Sequence, residues 1–308
     1  MSSSSDRIPD PCKAVPNSAV TDGKTDRPIP LEGIINMSIG LACQTITWGD
    51  GQVAFMDRVT RVAAEAGYDA LEIGFRRLDR VETGAVKKNL ERYGLTVLAT
   101  HIGGNLEDRA QAQSEQSMID TVIDCVKQYG AHYIMYSGLR YENNLQFSRA
   151  VDMINRAART CAERGVRMLY HNHNWEFDPE TRIMDRLLEK RAPELGFCPD
   201  VGWIAKGGQD PMAFLETVKD DTPLLHFKDF ASLAPPVPPV DTVCLGQGVV
   251  PLADVARWIR EGRSNVQWII AEQDRCDGNP DDAVTTNGRY LSTLFRDRPP
   301  KALSTSVF

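Results

Sequence analysis

ValArgMetLeuTyrHisAsnHis, residues 166–173, runs apolar on both faces and then ends on two histidines, His171 and His173. A short segment that is apolar at both parities is a strand buried on both sides, as in a parallel sheet. The same form recurs along the chain. ThrValLeuAlaThrHis closes on His101, LeuGlyPheCysProAsp on Asp200 and TrpIleIleAlaGlu on Glu272, while His226 lies in LeuLeuHisPheLysAsp. Strands are read at 39–48, 70–75, 96–102, 133–137, 166–173, 195–200, 224–228 and 268–272. If they are neighbours in one parallel barrel, their C-terminal ends converge and these side chains share a pocket.

Helical periodicity separates the strands. Residues 53–66 place Phe55, Val59, Val62, Ala63 and Ala66 on one face at three-to-four spacing, and 116–129, 145–164, 182–190, 211–218, 252–261 and 282–295 behave likewise. Glycine marks the return from helix to strand in GluAlaGlyTyrAsp, ArgTyrGlyLeuThr, GlnTyrGlyAlaHis and GluArgGlyValArg, where a helix end takes a left-handed residue. Eight such units in about 260 residues predict an α/β protein with a (β/α)8 TIM barrel. A doubly wound sheet would carry a glycine-rich phosphate turn after its first strand, and ThrTrpGlyAspGlyGln has neither spacing. The barrel is expected over 37–297, with a flexible N-terminal arm at 1–36 and a tail at 298–308, both rich in polar residues and proline.

Composition narrows the function. The 308 residues are 42% hydrophobic and 25% charged, with a net charge of −7. That balance disfavours a nucleic-acid partner, since no stripe of Lys and Arg is present. Seven cysteines, Cys12, Cys43, Cys125, Cys161, Cys198, Cys244 and Cys276, have no CxxC spacing and read as free thiols. The N-terminus has no basic-then-apolar leader, and no run approaches the ~20 apolar residues of a membrane span, so a cytoplasmic protein is expected. A homo-oligomer is compatible with this composition. Between the strand at His226 and the helix at 252 lies a long connection containing ProProValProPro (235–239). In a barrel it falls over the C-terminal face, and a semi-rigid lid is expected there.

Imidazoles and carboxylates at strand ends, with no sulfur partner, predict one divalent metal ion, Mn²⁺ first among Mn²⁺, Mg²⁺, Co²⁺ and Zn²⁺. Such an ion polarises a carbonyl beside a hydroxyl and acidifies the α-proton, which a neighbouring carboxylate or imidazole removes. His171 and His173 share a parity, so both can face the pocket. Glu176 follows in the loop, flanked by Trp175 and Phe177. Glu72, His101, Lys228 and Trp203 are read as substrate contacts, with a rim salt bridge to Asp229 as the alternative for Lys228.

TyrHisAsnHisAsnTrpGluPhe, ProAspValGlyTrp, HisPheLysAspPhe, LeuGlyGlnGlyValVal and IleIleAlaGluGlnAsp, in this order, resemble the sugar phosphate isomerase/epimerase family. That is the xylose-isomerase-like TIM-barrel group, which includes inosose dehydratases and ketose 3-epimerases. The resemblance covers residues 38 to 296 and implies one divalent ion held at the last four strand ends, commonly by Glu, Asp, His and Glu. Asp200, His226 and Glu272 match the last three positions. The first falls to Glu176, His171 or His173, and Glu176 is taken as the ligand, with His173, His171 and Glu272 as catalytic groups. The expectation is a metal-dependent isomerase or epimerase acting on a keto-sugar or cyclitol through an enediolate. A lyase, dehydrating or cleaving a keto-glycoside, is the alternative, with an apurinic endonuclease or a sugar-binding barrel more remote.

Overall fold

The computed structural model describes residues 38–103, 118–234 and 242–296. The expected arm and tail, Cys12 and the ProProValProPro stretch lie outside the described residues. The strands are β1 (Gly40–Gln44), β2 (Ala70–Gly74), β3 (Thr96–Gly103), β4 (Tyr133–Ser137), β5 (Arg167–His171), β6 (Gly196–Phe197), β7 (Leu224–Phe227), β8 (Asp229–Phe230), β9 (Thr242–Val243) and β10 (Trp268–Ala271). Eight of them form one sheet in the order β6-β5-β4-β3-β2-β1-β10-β7, every pairing parallel. The ends of that order, β6 and β7, are joined by a parallel bridge between Asp200 and His226, and the His226 N–H donates to Pro199 O at 2.9 Å. The sheet closes into the expected (β/α)8 barrel. β8 and β9 make a separate antiparallel ribbon at the two ends of the long connection.

Helices cover the outside because each has one apolar stripe. Helix Met56–Glu65 buries Met56, Val59, Val62 and Ala63, and helix Asn144–Glu163 buries Phe147, Val151, Ile154, Ala158 and Cys161. Gly94 and Gly165 take φ of 70° and 74°, the left-handed residue expected where a helix gives way to a strand.

The inside of the barrel is built in two tiers. Ala42, Ala70, Ala99 and Met135 from β1–β4, then Leu169, Cys198, Leu224 and Ile270 around the other half, form an apolar cluster. Side chains alternate along a strand, so the residue two places on faces inward again. In every case that residue is polar: Gln44, Glu72, His101 and Ser137 on one half, His171, Asp200, His226 and Glu272 on the other. The lower tier packs and the upper tier carries chemistry.

Three local expectations differ. The first strand ends at Gln44, and Thr45–Trp48 turns as a 3-10 segment because the Gln44 side chain accepts from Ile46 N at 2.6 Å. The first helix is preceded by a 3-10 segment, Asp50–Phe55. A helix at Thr83–Tyr93 escaped the periodicity, since only Val86 and Leu90 are buried in it. The described cysteines are all free, as expected. No helix among the described residues is long and apolar enough to cross a membrane.

Candidate active site

Four upper-tier side chains meet. His171, Asp200, His226 and Glu272 are buried, and one donor atom of each lies within 4.8 Å of all the others. His171 Nε2 is 3.5 Å from Asp200 Oδ2 and 3.4 Å from Glu272 Oε2, and His226 Nδ1 is 2.5 Å from Glu272 Oε2. Both ring nitrogens of His171 and Oδ2 of Asp200 are buried without a hydrogen-bond partner. Buried polar atoms are rarely left so, and His171 Nε2 and Asp200 Oδ2 meet at the shared point. Two imidazoles and two carboxylates at this spacing suit a four-coordinate divalent cation.

Local sequence explains the placement. Asn172 faces away from the pocket, and its side chain accepts from Asp200 N at 3.0 Å and donates to Asp200 O at 3.2 Å, fixing the chain beyond β6. Asp200 then caps helix Val201–Lys206 by accepting from Trp203 N through Oδ1 at 2.9 Å, which leaves Oδ2 for the cluster. Lys228 is fully buried: its Nζ lies 3.2 Å from Asp200, 3.3 Å from Glu272 and 2.8 Å from Asp274, and 4.7 Å over the Trp203 ring. The rim salt bridge to Asp229 does not form. Asp229 instead accepts backbone N–H groups from Phe230, Gly246, Gly248 and Val250, pinning the far end of the long connection.

Burial and charge set the protonation states. Burial and the neighbouring imidazoles of His226 and His101 hold His171 well below the usual histidine range. Burial and the Lys228 ammonium do the same for His173. Burial opposes the charge on His226, but Glu72 and other negative neighbours outweigh it and raise that imidazole. Glu272 is pushed up by burial and pulled further down by Lys228 and His226, so it stays ionised. Asp200 is pushed up to about 6 by burial, against the pull of Lys228.

A cavity of about 320 Å³ opens over the group, and His101, Ser137, His171, His173, Glu272 and Asp274 are among its walls. His173 is stacked on Trp175, ring centroids 4.3 Å apart and 15° between planes, with Trp203 at 5.7 Å. Of the residues expected to touch substrate, His101 reaches this cavity, whereas Glu72 and Lys228 lie behind it and Trp203 backs His173. Glu176 does not join the four-donor group. Its carboxylate turns back to accept from Tyr170 Oη at 2.5 Å and from His173 N at 2.7 Å, closing a 3-10 turn, and His171 occupies the place given to it. Sequence reading missed Asp274 and Ser137, although Asp274 shares the parity of Glu272.

The family model of the xylose isomerase-like TIM barrel matches residues 60–293. The chain belongs to that family. An inosose dehydratase of Geobacillus kaustophilus is 26% identical over 215 residues, which are 62% of this chain and 68% of that protein. A sugar phosphate isomerase/epimerase structure from Parabacteroides distasonis superposes with TM-score 0.68 at 21% identity, covering 84% of this chain and 96% of that one. The structure of the IOLI protein with a binding zinc atom gives TM-score 0.63 at 14% identity, covering 83% and 98%. At these identities the two structures establish the shared fold.

Proposed function

We propose that this chain is a divalent-metal-dependent enzyme that acts on a keto-sugar or cyclitol through an enediolate, and that the enediolate goes forward by losing a β-hydroxyl. The observation that carries the metal is the convergence of one buried donor atom each from His171, Asp200, His226 and Glu272 within 4.8 Å, with both His171 ring nitrogens left without a hydrogen bond. Two imidazoles among four donors favour Zn²⁺, Co²⁺ or Mn²⁺ over Mg²⁺, which takes oxygen ligands. Held by these four residues, such an ion would polarise the substrate carbonyl and its adjacent hydroxyl.

The chain's own residues supply the rest. His173, kept neutral by burial and Lys228 and lining the cavity, takes the α-proton on a ring nitrogen. The Trp175 stack holds that ring in place. His101 and Ser137, at the ends of the neighbouring strands β3 and β4, meet substrate hydroxyls. Asp274 lines the cavity, and burial raises its carboxyl against the pull of Lys228. It gives the leaving oxygen the proton with which it departs as water, while Lys228 holds it from behind the wall at 2.8 Å. The β5 end carries His171 where the resemblance implies a glutamate, and the matched inosose dehydratase supports elimination.

Reprotonation, giving isomerisation or epimerisation, is the second reading. It is favoured by His173 and Glu272 both lining the cavity as possible proton carriers. Proton NMR in D₂O of inososes and keto-sugars with metal-loaded protein separates the two. Loss of water with an olefinic or deoxy product supports elimination. Deuterium uptake without loss of water supports reprotonation, and no uptake into any substrate rejects both.

A further inference from the structure

One fully buried carboxylate has no part in the steps above. Glu72 stands in the upper tier on β2 and is completely buried. Each of its oxygens meets an imidazole: Oε1 lies 3.1 Å from His101 Nδ1, and Oε2 lies 2.8 Å from His226 Nε2. The far nitrogens of those two rings face different things. His226 Nδ1 faces the four-donor group, 2.5 Å from Glu272 Oε2. His101 Nε2 lies 2.8 Å from Ser137 Oγ, and both of those residues line the cavity.

An ionised carboxylate can only accept, so each ring must turn an N–H toward Glu72. Where a ring keeps a single N–H, as His226 does once an ion replaces the proton on Nδ1, spending it on Glu72 leaves the other nitrogen as a lone pair. We propose that Glu72 is a positioning residue for both histidines. It holds His226 with hydrogen on Nε2, so that Nδ1 is the donor toward the ion, and His101 with hydrogen on Nδ1, so that Nε2 accepts from Ser137 or from a substrate hydroxyl. One side chain on β2 thereby orients a group for the ion on β7 and a group for the substrate on β3. The part that concerns His226 rests on the proposed function, and the part that concerns His101 does not.

The full chain, labelled with ¹⁵N-histidine and titrated with ¹¹³Cd²⁺, tests this. Cadmium–nitrogen coupling identifies the ligating ring nitrogen, and long-range proton–nitrogen correlations identify the protonated one. The wild type is expected to couple cadmium to His226 Nδ1 and to carry hydrogen on His226 Nε2 and His101 Nδ1. Glu72→Gln keeps the size but offers one oxygen and one NH₂, so it accepts from one ring and donates to the other. One tautomer should then switch, and chelator competition should read a ~10–100-fold loss of cadmium affinity, the usual effect of removing an outer hydrogen-bond partner. Glu72→Asp, which keeps the charge, should recover part of that loss, and it replaces Glu72→Gln if the latter does not fold.

Cadmium coupled to His226 Nε2, or Glu72→Gln with wild-type affinity and unchanged tautomers, overturns the proposal. A wild type that takes up no cadmium overturns the metal reading and the His226 half with it. The His101 half is then decided in the metal-free chain, where hydrogen on Nε2 of His101 overturns it.

Discussion

Asp200 and His226 are backbone partners as well as members of one site: they form the parallel bridge that joins β6 to β7. β6 has two residues, because the Asp200 N–H that would carry the ladder on is taken by the Asn172 side chain at 3.0 Å. The barrel is therefore closed at the point where the site is assembled.

Asp200 has two separable duties, a helix cap through Oδ1 and a cluster donor through Oδ2. Asp200→Asn keeps an oxygen for the cap but removes the charge, so metal content should fall with little change in melting temperature. Asp200→Ala should also lose the cap, costing ~1 kcal/mol more in chemical denaturation. Equal stability losses in the two variants would show that the cap contributes nothing.

His171 stands in the four-donor group and Glu176 does not. His171→Ala should strip the ion from the purified protein, read by elemental analysis, while Glu176→Gln should retain it. Full occupancy in His171→Ala together with loss in Glu176→Gln would return the ligand to Glu176.

Glu176 also predicts a pH dependence. Burial pushes its carboxyl from 4.5 up to about 8, although the Tyr170 hydroxyl and the His173 N–H both favour the charged form. The folded chain then keeps a proton that the unfolded chain gives up above pH ~4.5. Its stabilising effect is complete below that value and is lost as pH rises through 8, a few kcal/mol in all. Glu176→Gln is neutral throughout, so its melting temperature relative to wild type should climb between pH 5 and pH 9. Parallel curves would mean that the carboxyl is not protonated in the fold.

His173 lines the cavity but supplies no atom to the four-donor group. His173→Asn should keep full metal content and lower turnover ~10²–10⁴-fold, the range of a lost acid–base group. Loss of metal in this variant would place His173 among the ligands.

The barrel was legible because its strands are apolar on both parities and its helices carry one stripe. The failures are local. Thr45, Ile46, Thr47 and Trp48 are all good strand formers, yet the Gln44 side chain captures the next turn. Helix Thr83–Tyr93 shows too few apolar positions to announce itself. At the site, Asp200, His226, Glu272 and His171, read from strand ends, are brought together in the structure, since parity carries side chains inward from there. Glu176 lies outside that group, since loop spacing does not tell which way a side chain turns and its own hydrogen bonds to Tyr170 and His173 decide that. Lys228 and Asp229 are sequence neighbours and therefore point to opposite sides, which already argued against a pair.

The two tiers inside the barrel bear on how such a protein can acquire a new reaction. Each strand commits its inner apolar residue to packing and the one two places later to chemistry, so the second can vary while the first stays fixed. Randomising the codons for Gln44, Ser137 and His101 would alter what the cavity accepts without opening a hole among Ala42, Met135 and Ala99 beneath them. Reaction type in this architecture is a short word written around a rim, and it can be rewritten letter by letter on an unchanged scaffold.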